Sequence, residues 1–103
     1  MIVQRRTYYG KAGLGDALIE HLNEGNLMAR KYGLAIIPRV LPDRNTGRTD
    51  RVVVEWEAKE MNEFFSVGTE VVAYPEGEEE FETWFARLCE LIEYADVDTW
   101  RVV

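Results

Sequence analysis

Apolar positions along this chain of 103 residues recur with two different periods, and the points where the period changes divide it into elements. Residues 2–9 are rich in β-branched and aromatic side chains and end at Gly10, which predicts a strand. Over residues 11–31 the period lengthens. At about 100° per residue Leu14, Ala17, Leu18, Leu22, Met28, Ala29 and Tyr32 share one arc, while Asp16, Glu20, Asn23, Arg30 and Lys31 lie mainly outside it. That segment reads as an amphipathic helix closed by Gly33. Residues 34–41 and 51–57 return to β-rich runs, and the turn formers PDRNTGRTD between them make the pair a hairpin with a long loop. Met61, Phe64, Phe65, Gly68 and Val71 or Val72 recover helical spacing, which breaks at Tyr74-Pro75 because the residue before proline is pushed out of the α region. Residues 81–94 continue as a second helical piece, and residues 97–103 close the chain as a strand.

The order is β-α-β-β-α-β, an α+β ferredoxin-like arrangement with its second helix broken in two, formed by one domain over residues 1–103. In it the first and third strands are central and the second and fourth are edges. Pro38 suits an edge because proline cannot donate to a ladder, and Asp96 and Asp98 on the last strand blunt another. On the second helix, Phe81, Trp84, Phe85, Leu88, Cys89, Leu91 and Ile92 cover roughly 160° of the wheel and predict its inner face. Two helices cover one face of such a sheet, so the other should turn polar. It does not: Ile2-Val3, Ala35-Ile36-Ile37, Val52-Val53-Val54 and Val102-Val103 place apolar side chains on both faces. An uncovered face of this kind marks an interface, which predicts a homodimer closed sheet to sheet.

The balance of 47% hydrophobic and 30% charged residues is that of an ordinary globular protein. No apolar run approaches the ~18 residues of a membrane span, so no membrane partner is expected. Residues 1–6 lack the apolar core of a secretory signal, and the single cysteine, Cys89, cannot form an internal disulfide; both point to a cytoplasmic location. A net charge of -7 argues against nucleic acid, whose binding needs phosphates neutralised by Lys and Arg. Glu76, Glu78, Glu79, Glu80 and Glu82 form a dense block that suits the positive end of a helix and its solvated side, not a metal. With no P-loop, GxGxxG motif or CxxC pair, no cofactor and no structural metal is expected.

Candidate chemistry centres on His21, the only histidine, which sits in the apolar arc of the first helix with Gly25 one turn later. A helix-interior glycine costs about 1 kcal/mol relative to alanine, so something else occupies its space. Either a pocket lies there with His21 as general base, or the histidine is buried with a satisfied hydrogen bond and the glycine permits close packing. Strand parity places Val53, Glu55 and Glu57 on one face of the third strand and Val52, Val54 and Trp56 on the other, the more apolar set meeting the helices. Arg5, Arg6, Arg39 and Arg101 also fall on strands. They form Arg–Glu pairs at the interface, or they line a site for a carboxylate or phenolate. A slip of one residue exchanges the faces of Arg5 and Arg6, so both assignments stay open. Trp56, Trp84, Trp100, Tyr8, Tyr9, Phe64, Phe65 and Phe85 line a cavity for a flat aromatic molecule or are plain core.

The first strand with its Arg-Arg pair, the Lys-Tyr-Gly end of the first helix, VVVEWE, and the stretch from Pro75 through Trp84-Phe85-Ala86-Arg87 to Thr99-Trp100-Arg101-Val102-Val103 resemble the dimeric α+β barrel superfamily. Within it the chain is most similar to small NIPSNAP-like proteins and to relatives of the antibiotic-biosynthesis monooxygenases, over essentially its whole length. The resemblance implies two sheets forming a barrel at a dimer interface, with ligands between each sheet and its helices. It also implies a cofactor-independent enzyme acting on a small hydrophobic or aromatic molecule. In that reading His21 moves a proton, Trp56 and Trp84 enclose the substrate, and Arg5 with Tyr9 completes the site. The alternative is a ligand-binding or structural homodimer without catalysis. Haem-degrading members combine an Asn on the first strand with a Trp and a His near the second helix; this chain has neither that Asn nor that His, so haem chemistry of that type is not expected.

Overall fold

The β-branched and aromatic start of the chain forms strand β1, Ile2–Gly10, and the change of period after it marks helix α1, Gly15–Lys31. The structure, a computed structural model, describes residues 1–33, 38–43, 49–61 and 75–103. Strands β2, Arg39–Pro42, and β3, Arg51–Ala58, come next, then helix α2, Pro75–Leu91, and strand β4, Ile92–Arg101. All pairings are antiparallel in the order β2-β3-β1-β4, so the first and third strands are central and the second and fourth are edges, as the β-α-β-β-α-β reading requires. Pro38 stands just before β2, and Pro42 is the proline that edge strand contains. The helical spacing read over residues 61–72 and the first half of the predicted second strand lie, apart from Met61, outside the described residues.

Several boundaries differ from the sequence reading: the second helical piece, read from residue 81, begins at Pro75, and the first helix, read from residue 11, begins at Gly15. The helix expected to run to Tyr94 ends at Leu91, and β4 begins at once with Ile92 rather than at residue 97. Pairing with β1 decides it: the Leu91 carbonyl accepts from Lys11 N–H at 2.9 Å, and Tyr94 faces Tyr9 across the strands with ring centroids 4.4 Å apart. Side chains with β-branched and aromatic character gain more from that ladder than from one further helical turn. The inner face of α2 is also narrower than the predicted arc. Leu88 and Leu91 are buried, whereas Phe85 is half exposed and Cys89 is exposed.

The core lies between one sheet face and both helices. Leu18 and Leu22 of α1 meet Leu88 and Leu91 of α2 over Tyr8, Val52 and Val54. The register Arg5↔Glu55 and Arg6↔Val54 resolves the open parity: Arg6 lies on the helix side with the buried Val54, and Arg5 lies on the opposite, bare face, which no described helix covers.

Helix α1 has no cap in its own sequence, because Leu14 at its N-cap position makes no side-chain hydrogen bond. Asp50, from the connection before β3, supplies one. Its carboxylate accepts from Gly13 N–H and Gly15 N–H, each at 3.0 Å, so it satisfies donors at the positive helix end. Asp50 adopts φ 62°, a left-handed backbone that aspartate tolerates better than most residues. At the far end, Gly33 at φ 91° donates its N–H to the Arg30 carbonyl at 3.0 Å and stops the helix.

Candidate functional site

Helical spacing brings His21 and Gly25 to the same side of α1, and α2 answers with Trp84. The two residues exchange main-chain contacts: His21 Nε2–H donates to the Trp84 carbonyl at 2.7 Å, and Trp84 Nε1–H donates to the His21 carbonyl at 2.9 Å. Their rings lie nearly parallel, 11° apart in tilt, with centroids separated by 5.2 Å. The space left by Gly25 is filled by the indole. A Cβ built there would stand 2.6 Å from Trp84 Cε2 and Cζ2. His21 Nδ1 faces Glu24 Oε2 at 3.5 Å.

This pair borders a groove of about 610 Å³ between the helices, whose other walls include Glu24, Met28, Glu76, Glu79 and Glu80. Every lining residue comes from a helix and none from the sheet. Lys31 spans the groove's rim to Glu80 at 2.6 Å. That contact holds the Glu80 carboxyl below its ordinary range and raises the Lys31 ammonium. Among the described residues no group of three or more His, Cys, Asp or Glu side chains is placed to hold a metal. No described helix is long and apolar enough to cross a membrane.

The remaining sequence-predicted residues stand elsewhere. Trp56 packs against the core from the helix side of β3. Arg5 and Tyr9 lie on the opposite, bare face, so they do not join Trp56 in the helix–sheet layer, and the composite site expected of His21, Trp56, Trp84, Arg5 and Tyr9 is split three ways. The reason is the period of two along β1: Arg5, Thr7 and Tyr9 alternate with Gln4, Arg6 and Tyr8. Tyr9 stacks on Tyr94, and its phenol is raised first by desolvation and then by Asp96.

Arg5 instead joins a network centred on Glu55. Its Nε and Nη2 donate to Glu55 Oε2 at 3.2 and 2.8 Å, while Arg39 Nη2 donates to Glu55 Oε1 and to Glu57 Oε1. Glu55 is 8% exposed although it sits on the uncovered face. The hydrogen bond from Arg5, opposed by desolvation and aided by Arg39, holds its carboxyl below the ordinary range. A carboxyl depressed in the folded state adds stability that is complete above the unfolded value of about 4.3 and is lost as pH falls through the lower folded value. Glu55→Gln is therefore expected to lower the unfolding free energy by about 2 kcal/mol at neutral pH and by progressively less below about pH 4. Urea unfolding across that range checks it, and a pH-independent difference would count against the network.

The sequence predicts Arg6, with Arg5, Arg39 and Arg101, either in Arg–Glu pairs or in a site for a carboxylate or phenolate, and leaves its face open. The structure places it on the helix side of β1 between Val54 and Val97, with its Nε shielded from solvent and without a hydrogen-bond partner. The signal that would have found it is the parity of Tyr8, whose aromatic side chain belongs with the core.

No family model matches the chain, and no curated protein matches it. Solved structures do. An uncharacterized NIPSNAP domain protein from Burkholderia xenovorans superposes with a TM-score of 0.77 at 18% identity, over 100% of this chain and 95% of that one. A NIPSNAP family protein from Agrobacterium tumefaciens gives 0.78 at 16%, over 99% and 92%. A candidate antibiotic biosynthesis monooxygenase from Nitrosomonas europaea gives 0.72 at 12%, over 100% and 99%. The likeness is one of fold, and it falls on the two groups of proteins that the sequence resembles.

Proposed function

We propose that the chain works as a homodimer closed through its bare sheet faces and holds a small hydrophobic, aromatic molecule between β4 and α2. The exposure of β4 on both of its sides supports this reading. On the bare face Tyr94 is 48% and Trp100 59% exposed, and on the helix side Val97 is 49% exposed. An antiparallel strand with exposed apolar side chains on both sides, set on the bare side among Asp96 and Asp98, is suited by two covers. A second sheet suits the bare face, where the half-exposed Leu41 of β2 extends the same patch. A ligand suits the helix side. At 100° per residue Phe85 and Cys89 lie on the flank of α2 opposite the residues that line the interhelical groove. With α1 against β2 and β3, and α2 leading directly into β4 at Ile92, the proposed ligand is set between that flank and the exposed side of β4.

The catalytic reading, a cofactor-independent oxygenation with His21 moving a proton, draws on the fold likeness to a candidate monooxygenase. It has less support here, because His21 Nε2–H is engaged by the Trp84 carbonyl and the groove it borders contains no sheet residue. Fold alone does not carry an activity.

Light scattering at micromolar concentration is expected to give a dimer that Trp100→Glu converts to a monomer. Naphthalene is expected to shift the Val97 methyl resonances. A monomeric wild type would overturn the first half of the proposal, and unmoved Val97 methyls the second.

A further inference from the structure

Five cationic side chains among the described residues stand beside carboxylates: Arg5 and Arg39 on Glu55, Arg51 on Asp43, Lys31 on Glu80, Arg87 on Glu90. Arg6 departs from that pattern. It is half-buried in the helix–sheet layer, its Nε is orphaned, and no carboxylate among the described residues pairs with it. A guanidinium cannot relieve burial by losing its proton, so a shielded one calls for an anion or for acceptor oxygens. The near neighbours supply few. Val54 and Val97 flank it across the strands, and the Gln4 amide on the same side already donates to Thr99 Oγ1 at 3.4 Å. The Tyr8 hydroxyl oxygen accepts a hydrogen bond from Arg6, and because burial still disfavours its ionisation it stays neutral and keeps its own hydrogen to donate, while Arg6 Nε is left without a partner.

We propose that Arg6, with the Tyr8 hydroxyl as second donor, anchors a planar oxyanion, a carboxylate or a phenolate, carried by a small aromatic molecule whose ring lies against Val97. This deepens the reading above and rests on it. The guanidinium fork matches the two oxygens of a carboxylate, with the buried Val54 on one side and the exposed Val97 on the other as the apolar surface for the ring. The same side chains reject a neutral analogue only through the charge, which makes the charge the measurable quantity.

The test uses benzoate and benzamide, which share ring and shape and differ in charge. In wild-type protein labelled with nitrogen, benzoate is expected to shift the Arg6 Nε–H resonance and to bind about tenfold more tightly than benzamide. Arg6→Gln should erase that preference, and Arg6→Lys should retain part of it. Equal affinity for the two probes, or an unmoved Arg6 Nε–H resonance, would overturn the proposal. Should Arg6→Gln fail to fold, the contrast of probes on the wild type still decides. If naphthalene shifts the Val97 methyls while benzoate leaves Arg6 unmoved, the oxyanion anchor falls and the apolar ligand layer stands. If no probe moves either residue, both fall.

Discussion

Gly10→Ala is expected to lower the unfolding free energy by about 3 kcal/mol, a large part of the roughly 5–15 kcal/mol typical of a domain. The new Cβ would stand 2.6 Å from the Asp50 carbonyl oxygen and 3.3 Å from Leu18 Cδ2. A backbone oxygen cannot rotate aside, so the chain at Asp50 must move. That residue holds three contacts at once: its carbonyl accepts from Gly10 N–H at 2.9 Å, and its carboxylate caps α1 through Gly13 and Gly15. Displacing it therefore strains the end of β1, uncaps α1 and disturbs the fully buried Leu18 together. Asp50→Asn keeps one acceptor oxygen and is expected to cost about 1 kcal/mol. Chemical denaturation measures both. A Gly10→Ala protein within about 0.5 kcal/mol of wild type would show that the loop yields freely and that the latch is not structural.

The second large effect is expected at Gly25, and its sign depends on Trp84. Alanine there would meet the indole at 2.6 Å, forcing the ring from its seat and breaking its hydrogen bond to the His21 carbonyl. Overpacking of about 1–3 kcal/mol and a lost hydrogen bond of about 1 kcal/mol outweigh the roughly 1 kcal/mol that alanine gains in helix propensity. The net loss expected is about 2 kcal/mol. In a Trp84→Leu background the same substitution meets no ring and should stabilise by about 1 kcal/mol. This reversal separates a packing lock from a ligand pocket. If Gly25→Ala is neutral in the wild type, Trp84 moves readily, and the interhelical groove regains its claim as a binding site.

The helix–sheet pattern was largely legible along the chain. β1, α1 and β3 begin and end within a few residues of their predicted bounds because their apolar periods and glycine stops are local signals. The end of α2 was not. Ile92 satisfies a helical arc and a strand equally well, and only the partner strand with Tyr9 and Gly10 chooses between them. Phe85 and Cys89 fell on the apolar arc yet stay exposed, because a wheel gives the direction of a side chain but not whether anything lies in that direction. The sequence also posed the right question at Gly25, namely what fills its space, without the means to answer it.

What the sequence by itself determined is the order of elements, the edge position of β2 and β4, and the expectation of apolar residues on both sheet faces, all of which follow from periods of two and 3.6 within short segments. Only the tertiary structure decided which arginine turns toward the helices, that Asp50 caps a helix from outside it, and that Trp84 occupies the gap at Gly25. Each of these depends on register or on contacts between residues far apart in the chain. A shift of one position reverses every face of a strand, and the composition of the strand does not change when it does.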